Sequence, residues 1–258
     1  MRRIAFLAAM VVAGVVTTGG SGGALPSPAH VVVIVFENKD ASTINARSAP
    51  TFTELGRRYA RVTNYSAVAH PSLPNYLALV SGSTHGITSD CVTCRVRGKT
   101  IGDQLTEAGH SWDAYAEGYP SGAGFAKKHV PFLYFPRGAG HVRPLSDLNS
   151  HALPDLAFVV PDLCHDMHDC PVATGDAWLS RFVPPLLVLR DTVVFVVFDE
   201  GVQGNHVAAF ALGSDVRPHS VFAGRVDHYG LLRTIEDMWE LPRLGAAARA
   251  TPITGIWR

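Results

Sequence analysis

Charge is scarce in this sequence and is balanced between the two signs. Charged side chains make up 17% of the 258 residues, and 22 Lys and Arg oppose 22 Asp and Glu. There is no basic excess and no acidic tail, so we expect no nucleic-acid partner. The hydrophobic fraction of 47% is typical of a globular protein and excludes a disordered chain. A chain of this length can bury a sizeable core in one domain.

Long apolar runs are also rare, and the longest lies at the N-terminus. Residues 4–16 are apolar and follow the basic start Met1-Arg2-Arg3. This run is too short to span a bilayer, and small and polar residues follow it, which predicts a signal peptide over residues 1–24. An uncleaved N-terminal anchor is the alternative. We expect residues 25–258 to form one secreted domain without stable membrane insertion.

Cysteine occurs only four times. The four are Cys91, Cys94, Cys164 and Cys170. An even number in an exported protein favours disulfides, and the simplest of the three possible pairings joins the first two and the last two. The alternative is a zinc site, because His165 and His168 lie between the last two cysteines and both residue types bind that metal. Thiols oxidise outside the cell, which favours the disulfides.

Strand and helix patterns alternate along the chain. Apolar, β-branched runs predict buried strands at residues 31–36, 156–160 and 193–198, with a weaker one at residues 207–212. Helical patterns occupy residues 50–59, 74–80, 101–107, 176–189 and 229–240. The alternation predicts an α/β fold, a three-layer α/β/α sandwich with a mostly parallel sheet.

Each of the three buried strands is followed by an acidic residue. Glu37 and Asn38 follow the first, Asp162 follows the second, and Asp199 and Glu200 follow the third. Ligands bind beyond the carboxyl ends of parallel strands. One acid there can simply cap a helix or start a turn, but three at one edge crowd negative charge unless a cation neutralises it. Because the side chains are oxygen ligands, we expect a divalent metal.

A serine between two prolines, in the stretch HPSLPNY at residues 70–76, lies where a helix is predicted to begin. Pro74 suits the first turn of a helix, and Leu73, which precedes it, is expected to be extended. The hydroxyl of Ser72 would then lie at a helix N-terminus, which stabilises an anion. Alone, Ser72 would be interpreted as an N-cap. Beside a metal, it is predicted to be a nucleophile.

These segments together resemble the bacterial phosphoesterase family of secreted acid phosphatases and phospholipases C, within the alkaline phosphatase-like superfamily. The order and number of the matching segments carry the resemblance, since each one alone is weak. They are residues 36–38, 70–79, 128–131, 166–169, 175–179, 198–200, 228–229 and 252–257.

The resemblance implies roles for individual residues. One divalent metal ion would be held by Glu37, Asn38, Ser72, Asp199 and Glu200, and Ser72 would accept the phosphoryl group. His168 would contact the phosphate or protonate the leaving group. Substrate contacts are implied at Asn75, Lys128, His129, Asp166, His206 and His228. Lys39 stands where the family commonly has arginine, which keeps the charge but loses the bidentate geometry.

The predicted function is a secreted, metal-assisted phosphatase that hydrolyses phosphomonoesters through a phosphoserine on Ser72. The expected substrate is a phosphorylated small molecule or a phosphoinositide. The alternatives are a phosphodiesterase of the phospholipase C type and an exported, non-catalytic protein that binds a phosphorylated ligand. No serine of residues 25–258 lies in a Gly-x-Ser-x-Gly motif, which excludes an esterase of the α/β-hydrolase kind.

The segment most expected to select the substrate is residues 118–154, rich in Gly, Pro and His. It is typical of a long loop over the sheet edge. Its aromatic residues would either form the walls of a substrate pocket or pack the loop onto the sheet. They are Tyr119, Phe125, Phe132, Tyr134 and Phe135.

Overall fold

A computed structural model describes residues 25–258, and the predicted signal peptide lies outside the described residues. The strands are β1 His30–Phe36, β2 Ala60–Ser66, β3 Trp112–Ala116, β4 Val142–Pro144, β5 Leu156–Val160, β6 Thr192–Phe198, β7 His206–Gly213, β8 Ser220–Phe222 and β9 Val226–Asp227. The α-helices are α1 Pro50–Arg58, α2 Ser72–Ser81, α3 Ile101–Ala108, α4 Val172–Phe182, α5 Pro184–Leu187 and α6 His228–Met238. Short 3₁₀ helices lie at Ala41–Thr43, Lys127–His129, Pro131–Tyr134, Ala139–His141, Leu145–Asp147 and Gly245–Arg249.

All the strands belong to one mostly parallel sheet, in the order β4-β3-β5-β1-β6-β7-β2-β8, with β9 beside β2. Strand β1 is parallel to β5 and β6, and β3 is parallel to β4 and β5. Strand β7 runs antiparallel to β6 and β2. The predicted α/β architecture is confirmed, and the carboxyl ends of β3, β5, β1 and β6 meet at one edge.

Helices cover both faces of the sheet, which explains why the central strands are wholly apolar. Val33 of β1 packs with Leu79 of α2 and Leu231 of α6 on one face. Phe36 of β1 points to the other face because side chains alternate along a strand. Its ring meets Phe52 of α1 edge-on, with 5.0 Å between the ring centroids.

The structure corrects one predicted helix and adds strands that the sequence patterns did not predict. The single helix predicted over residues 176–189 is instead α4, which begins at Val172, and the separate short helix α5. The break falls at Pro184, because proline cannot supply the backbone N–H that a continuing helix needs. Strands β2 and β3 were not predicted, since polar residues interrupt their apolar pattern.

Residues 118–154 contain four 3₁₀ helices and the edge strand β4 rather than a simple loop. Phe132, Tyr134 and Phe135 are 0%, 0% and 2% exposed, so they pack the segment onto the sheet. Tyr119 and Phe125 are half-buried and contact each other edge-on. Of the predicted aromatic walls, only these last two reach the surface.

Both predicted local disulfides are present, Cys91–Cys94 and Cys164–Cys170. All four cysteine sulfurs are therefore paired, and the alternative of a zinc site built on them is wrong. Within residues 25–258, no helix is both long and apolar enough to cross a membrane.

Candidate active site

Ser72 is the first residue of α2, and its hydroxyl faces two carboxylates. Its Oγ lies 3.1 Å from Glu37 Oε2 and 3.5 Å from Glu200 Oε1, and the side chain is 1% exposed. The helix N-cap is Pro71, so the interpretation of Ser72 as an N-cap is wrong. Leu73, predicted to be extended, is already helical. The hydroxyl is thus aimed into a buried acidic cluster.

Asn75 holds the loop that leads into Ser72. Its Oδ1 accepts from the backbone N–H groups of Val68 and Ala69, both at 3.0 Å. Its Nδ2 donates to the carbonyl oxygens of Ala69 (2.9 Å) and Pro71 (3.2 Å). Both amide hydrogens are used and the side chain is fully buried. In this arrangement Asn75 offers no free amide hydrogen for the predicted phosphate contact.

The acidic cluster forms where β1 and β6 end side by side. Glu37 and Asp199 have no exposed surface, and Glu200 is 6% exposed. Asn38 links the two strand ends, since its backbone N–H donates to Asp199 Oδ1 and its Nδ2 donates to Glu37 Oε2, both at 3.0 Å. Its φ of 53° is left-handed, a conformation that asparagine tolerates. The parallel pairing of β1 and β6 therefore brings the predicted ligands together.

Burial raises the free energy of the ionised carboxylates in this cluster, and their pKa values rise as a result. It raises the pKa of Glu37 well above its usual value, and the carboxylates of Asp199 and Asp166 raise it further. Burial, followed by the charge of Glu200, raises the pKa of Asp199 to about 8. Burial also raises the pKa of Glu200, against the opposing effect of His70. At neutral pH the cluster must hold protons or gain a positive charge.

The buried oxygens of this cluster are of the chemical type that a cation binds. Asp199 Oδ2 has no hydrogen-bond partner among the described residues. Glu200 Oε2 is approached by His70 Nδ1 at 2.5 Å, an ion-pair contact without hydrogen-bond geometry. The five predicted ligands offer only oxygen atoms, which hard divalent cations prefer. They are Glu37, Asn38, Ser72, Asp199 and Glu200.

Basic side chains border the start of α2. Lys128 Nζ lies 2.8 Å from Asp90 Oδ2 and 3.4 Å from His168 Nε2. Asp90 Oδ1 also accepts from the backbone N–H of Leu73 at 3.0 Å, which places this group beside Ser72. Desolvation lowers the pKa of Lys128, but the hydrogen bond and charge of Asp90 raise it overall. Lys128 and His168 are partly exposed, so both are accessible to a ligand.

His129 and Asp166 lie behind Glu37 and not on the surface of the cleft. They are 1% and 0% exposed. His129 Nε2 is 3.3 Å from Glu37 Oε1, and its Nδ1 is 3.1 Å from Asp166 Oδ2. Tyr76 donates its hydroxyl to Glu37 Oε1 at 2.6 Å. The predicted direct substrate contacts of His129 and Asp166 do not fit this burial.

The two remaining predicted substrate residues also lie away from the cleft. His228 is fully buried, with Nε2 at 2.6 Å from the carbonyl oxygen of Asp199 and Nδ1 at 2.9 Å from the hydroxyl of Tyr65. Burial lowers the pKa of His228 to about 4, so it is neutral and supports the strand end. His206 is exposed at the start of β7 and contacts the carbonyl oxygen of Thr63. Neither has a described contact that fits a substrate ligand.

The sequence model of the phosphoesterase family matches residues 41–242. The chain belongs to the phosphoesterase family. The match includes Ser72, Asp199 and Glu200 and begins after Glu37 and Asn38. A phosphatidylinositol-3-phosphatase of Mycobacterium tuberculosis is 36% identical over 98% of this chain and 91% of its own length. A phosphate-repressible acid phosphatase of Penicillium chrysogenum is 30% identical over 83% of this chain, which spans 60% of that relative's length.

This phosphoesterase shares its fold with the alkaline phosphatase superfamily. A superfamily protein from Vibrio parahaemolyticus superposes with a TM-score of 0.64 at 15% identity, over 88% of this chain and 72% of that one. Family membership makes the protein a hydrolase of ester bonds. The superposition itself supports the fold alone.

A second acidic group lies at the same sheet edge of this phosphoesterase. Glu117 follows β3, Asp162 follows β5, and His165 Nδ1 lies 2.9 Å from Glu117 Oε2 and 3.4 Å from Asp162 Oδ1. The expectation that Asp162 joins Glu37 and Asp199 is therefore wrong. Among residues 25–258, two groups of three offer ligand atoms within 4.8 Å of one another, this one and Glu37 with His129 and His168. The carboxylates of Glu37, Asp199 and Glu200 stand further apart around Ser72.

Three residues that contact the site of this phosphoesterase were not predicted from the sequence. They are His70, Tyr76 and Asp90. The first two lie in the HPSLPNY stretch, so their closeness to Ser72 along the chain was the available signal. Asp90 had no such signal, because it lies 17 residues from Leu73 along the chain and only the fold brings its carboxylate to the start of α2.

Proposed function

We propose that this phosphoesterase hydrolyses phosphomonoesters with Ser72 as the nucleophile. One observation carries the proposal: the Ser72 hydroxyl faces Glu37 and Glu200 in a cluster where Asp199 keeps a buried, unpaired oxygen. A merely structural serine would not be set among carboxylates that cost free energy to bury. The names of the M. tuberculosis and P. chrysogenum relatives support a phosphatase.

One divalent metal ion would be held by Glu37, Asn38, Ser72, Asp199 and Glu200. When bound, it supplies positive charge that stabilises the serine oxygen as an anion and offsets the charge of the phosphate. Ser72 is held at the N-terminus of α2, whose dipole favours an anion. Lys128 adds a second positive charge beside the helix start. These features suit phosphoryl transfer, which depends chiefly on charge neutralisation.

The protein groups then carry the proton transfers. Ser72 loses its proton, for which Glu37 Oε2 and Glu200 Oε1 are within reach, and attacks phosphorus. The ester oxygen leaves as an alcohol after receiving a proton from His168. Water attacks the resulting phosphoserine, releasing inorganic phosphate and restoring the Ser72 hydroxyl. His168 Nδ1 is held by Asp169 at 2.6 Å, so Nε2, which lies 3.4 Å from Lys128 Nζ, would be the atom that donates the proton.

A phosphoinositide is the substrate that the M. tuberculosis relative suggests, and a soluble phosphomonoester is the other. Export is part of the proposal, since residues 1–24 are predicted to be a signal peptide and the domain carries two disulfides.

The test is phosphate release by the purified protein from p-nitrophenyl phosphate and from dispersed phosphatidylinositol 3-phosphate. Ser72→Ala should lower turnover by roughly 10³-fold or more. Ser180→Ala, at an exposed serine of α4, is the matched control and should retain full activity. Unchanged turnover in Ser72→Ala would overturn the nucleophile. Turnover of bis(p-nitrophenyl) phosphate alone would favour the diesterase, and phosphate binding without turnover would favour the binding protein.

A further inference from the structure

One helix holds both oxygens of the Glu37 carboxylate. Ser72 and Tyr76 are four residues apart on α2 and therefore share a face. Ser72 Oγ lies 3.1 Å from Glu37 Oε2, and the Tyr76 hydroxyl donates to Glu37 Oε1 at 2.6 Å. The first turns of α2 thus fix the nucleophile and the carboxylate relative to each other.

Tyr76 is itself held firmly. It has no exposed surface, and its ring stacks on His129 with centroids 5.3 Å apart and planes 11° from parallel. His129 is braced by Asp166 through Nδ1 at 3.1 Å. Asp166 in turn accepts the backbone N–H of Glu37 through its carbonyl oxygen at 2.8 Å. The ring position therefore depends on packing, while the hydroxyl alone reaches the carboxylate.

We propose that Tyr76 is a positioning residue that aims Glu37 Oε2 at the metal site by holding Oε1. The inference rests on the proposed function, because that proposal places a cation at Glu37. A donor behind a ligating carboxylate fixes its orientation, and loss of such a partner typically weakens metal affinity by about 10- to 100-fold. Without the hydroxyl, Glu37 Oε1 keeps only the longer contact with His129, and the carboxylate is then oriented from its Oε2 side alone, by Asn38 and Ser72.

Tyr76→Phe tests this role because it keeps the ring and removes the hydroxyl. The matched control is Tyr134→Phe, since Tyr134 is also fully buried and its hydroxyl has no hydrogen-bond partner in the part of the chain that the structure describes. Chelator-stripped protein would be titrated calorimetrically with Mn²⁺, with Ca²⁺ and Zn²⁺ in parallel, and melting curves would verify folding. We expect Kd to rise about 10- to 100-fold in Tyr76→Phe and to stay unchanged in Tyr134→Phe.

Repeating the Tyr76→Phe change in a Glu37→Asp variant shows whether Tyr76 acts through Glu37. Glu37→Asp keeps a carboxylate but shortens it, so Oε1 can no longer meet the Tyr76 hydroxyl. In that background Tyr76→Phe should cost little further affinity, and full additivity of the two changes would overturn the inference. An unchanged Kd in folded Tyr76→Phe would also overturn it while leaving the metal site intact. Absence of metal binding by the wild type would instead refute the proposed metal, and the inference with it.

Discussion

Two acidic groups lie at the same edge of the sheet and differ in how their oxygens are satisfied. In the group after β1 and β6, Glu37 and Asp199 are fully buried and Asp199 Oδ2 has no partner. In the group after β3 and β5, Glu117 and Asp162 are partly exposed and His165 stands between them. Asp162 Oδ1 also accepts the backbone N–H groups of Cys164 and His165.

The difference shows that an acid at a strand end does not by itself define a metal site. A carboxylate that already accepts hydrogen bonds from water and nearby donors gains little free energy from binding a cation. A buried carboxylate with an unpaired oxygen gains much more, because it otherwise must bind a proton or remain unsolvated. The Glu37 group therefore gains more from a cation than the Glu117 group does, which is why the proposed metal is placed at the Glu37 group.

The largest expected effect is a loss of turnover when an acid of the buried group is neutralised, with no loss for the same change in the partly exposed group. Asp199→Asn removes one charge from the buried group and should lower phosphatase turnover by roughly 100-fold or more. Asp162→Asn keeps the oxygen that accepts the backbone N–H groups and should leave turnover unchanged. Both variants are assayed with p-nitrophenyl phosphate. Equal losses of turnover in the two variants would show that the two acidic groups do not differ in function.

The pH dependence of metal affinity is a second test of the buried acidic group after β1 and β6. Burial and Glu200 raise the pKa of Asp199 to about 8, so below that pH the site holds a proton that a metal must displace. Metal affinity should therefore rise with pH between about pH 6 and pH 8, by up to about tenfold per unit for each proton released. Calorimetry of Mn²⁺ binding across this range measures it. An affinity independent of pH would contradict the raised pKa of Asp199.

A remote acid tests whether an unpaired buried oxygen alone implies a metal. Glu236 of α6 is fully buried and its Oε2 has no partner among the described residues. Burial raises the pKa of Glu236 to about 8, with Asp237 adding to the effect and Arg233 and Arg243 opposing it. Lacking a cluster of acids around it, Glu236 should hold a proton rather than a cation.

The raised pKa of Glu236 predicts a small change in stability with a definite sign. Its contribution is fully present below the unfolded pKa of 4.5 and is lost as the pH rises through about 8. Glu236→Gln should therefore raise the free energy of unfolding by roughly 1 kcal/mol or more near pH 8 and change it little near pH 4. Urea unfolding at both pH values measures this, with exposed Glu240→Gln as the control. A gain confined to the lower pH would refute the assignment.

The centre of the fold could be predicted from the sequence because its signals are local. The apolar runs of β1, β5 and β6 need no distant partner to be recognised as buried strands. Strands β2 and β3 are different, since they are held by neighbouring strands on both sides and carry polar residues. The antiparallel direction of β7 likewise depends on the short connection from β6.

The site was only partly predictable for the same reason. Glu37, Ser72 and Asp199 were found because each lies at the end of a predictable element. Asn75 and His228, by contrast, are buried polar groups with backbone partners that only the folded chain brings near. A residue type alone does not tell a ligand contact from a buried hydrogen bond.

The most direct test of the central claim is to trap the phosphorylated enzyme. The protein would be mixed with a phosphomonoester, quenched in acid, digested and mapped by mass spectrometry. The account predicts a phosphoryl group on Ser72 that is absent from the Ser72→Ala variant. Turnover with no covalent phosphate, or with phosphate on His168 instead, would contradict it.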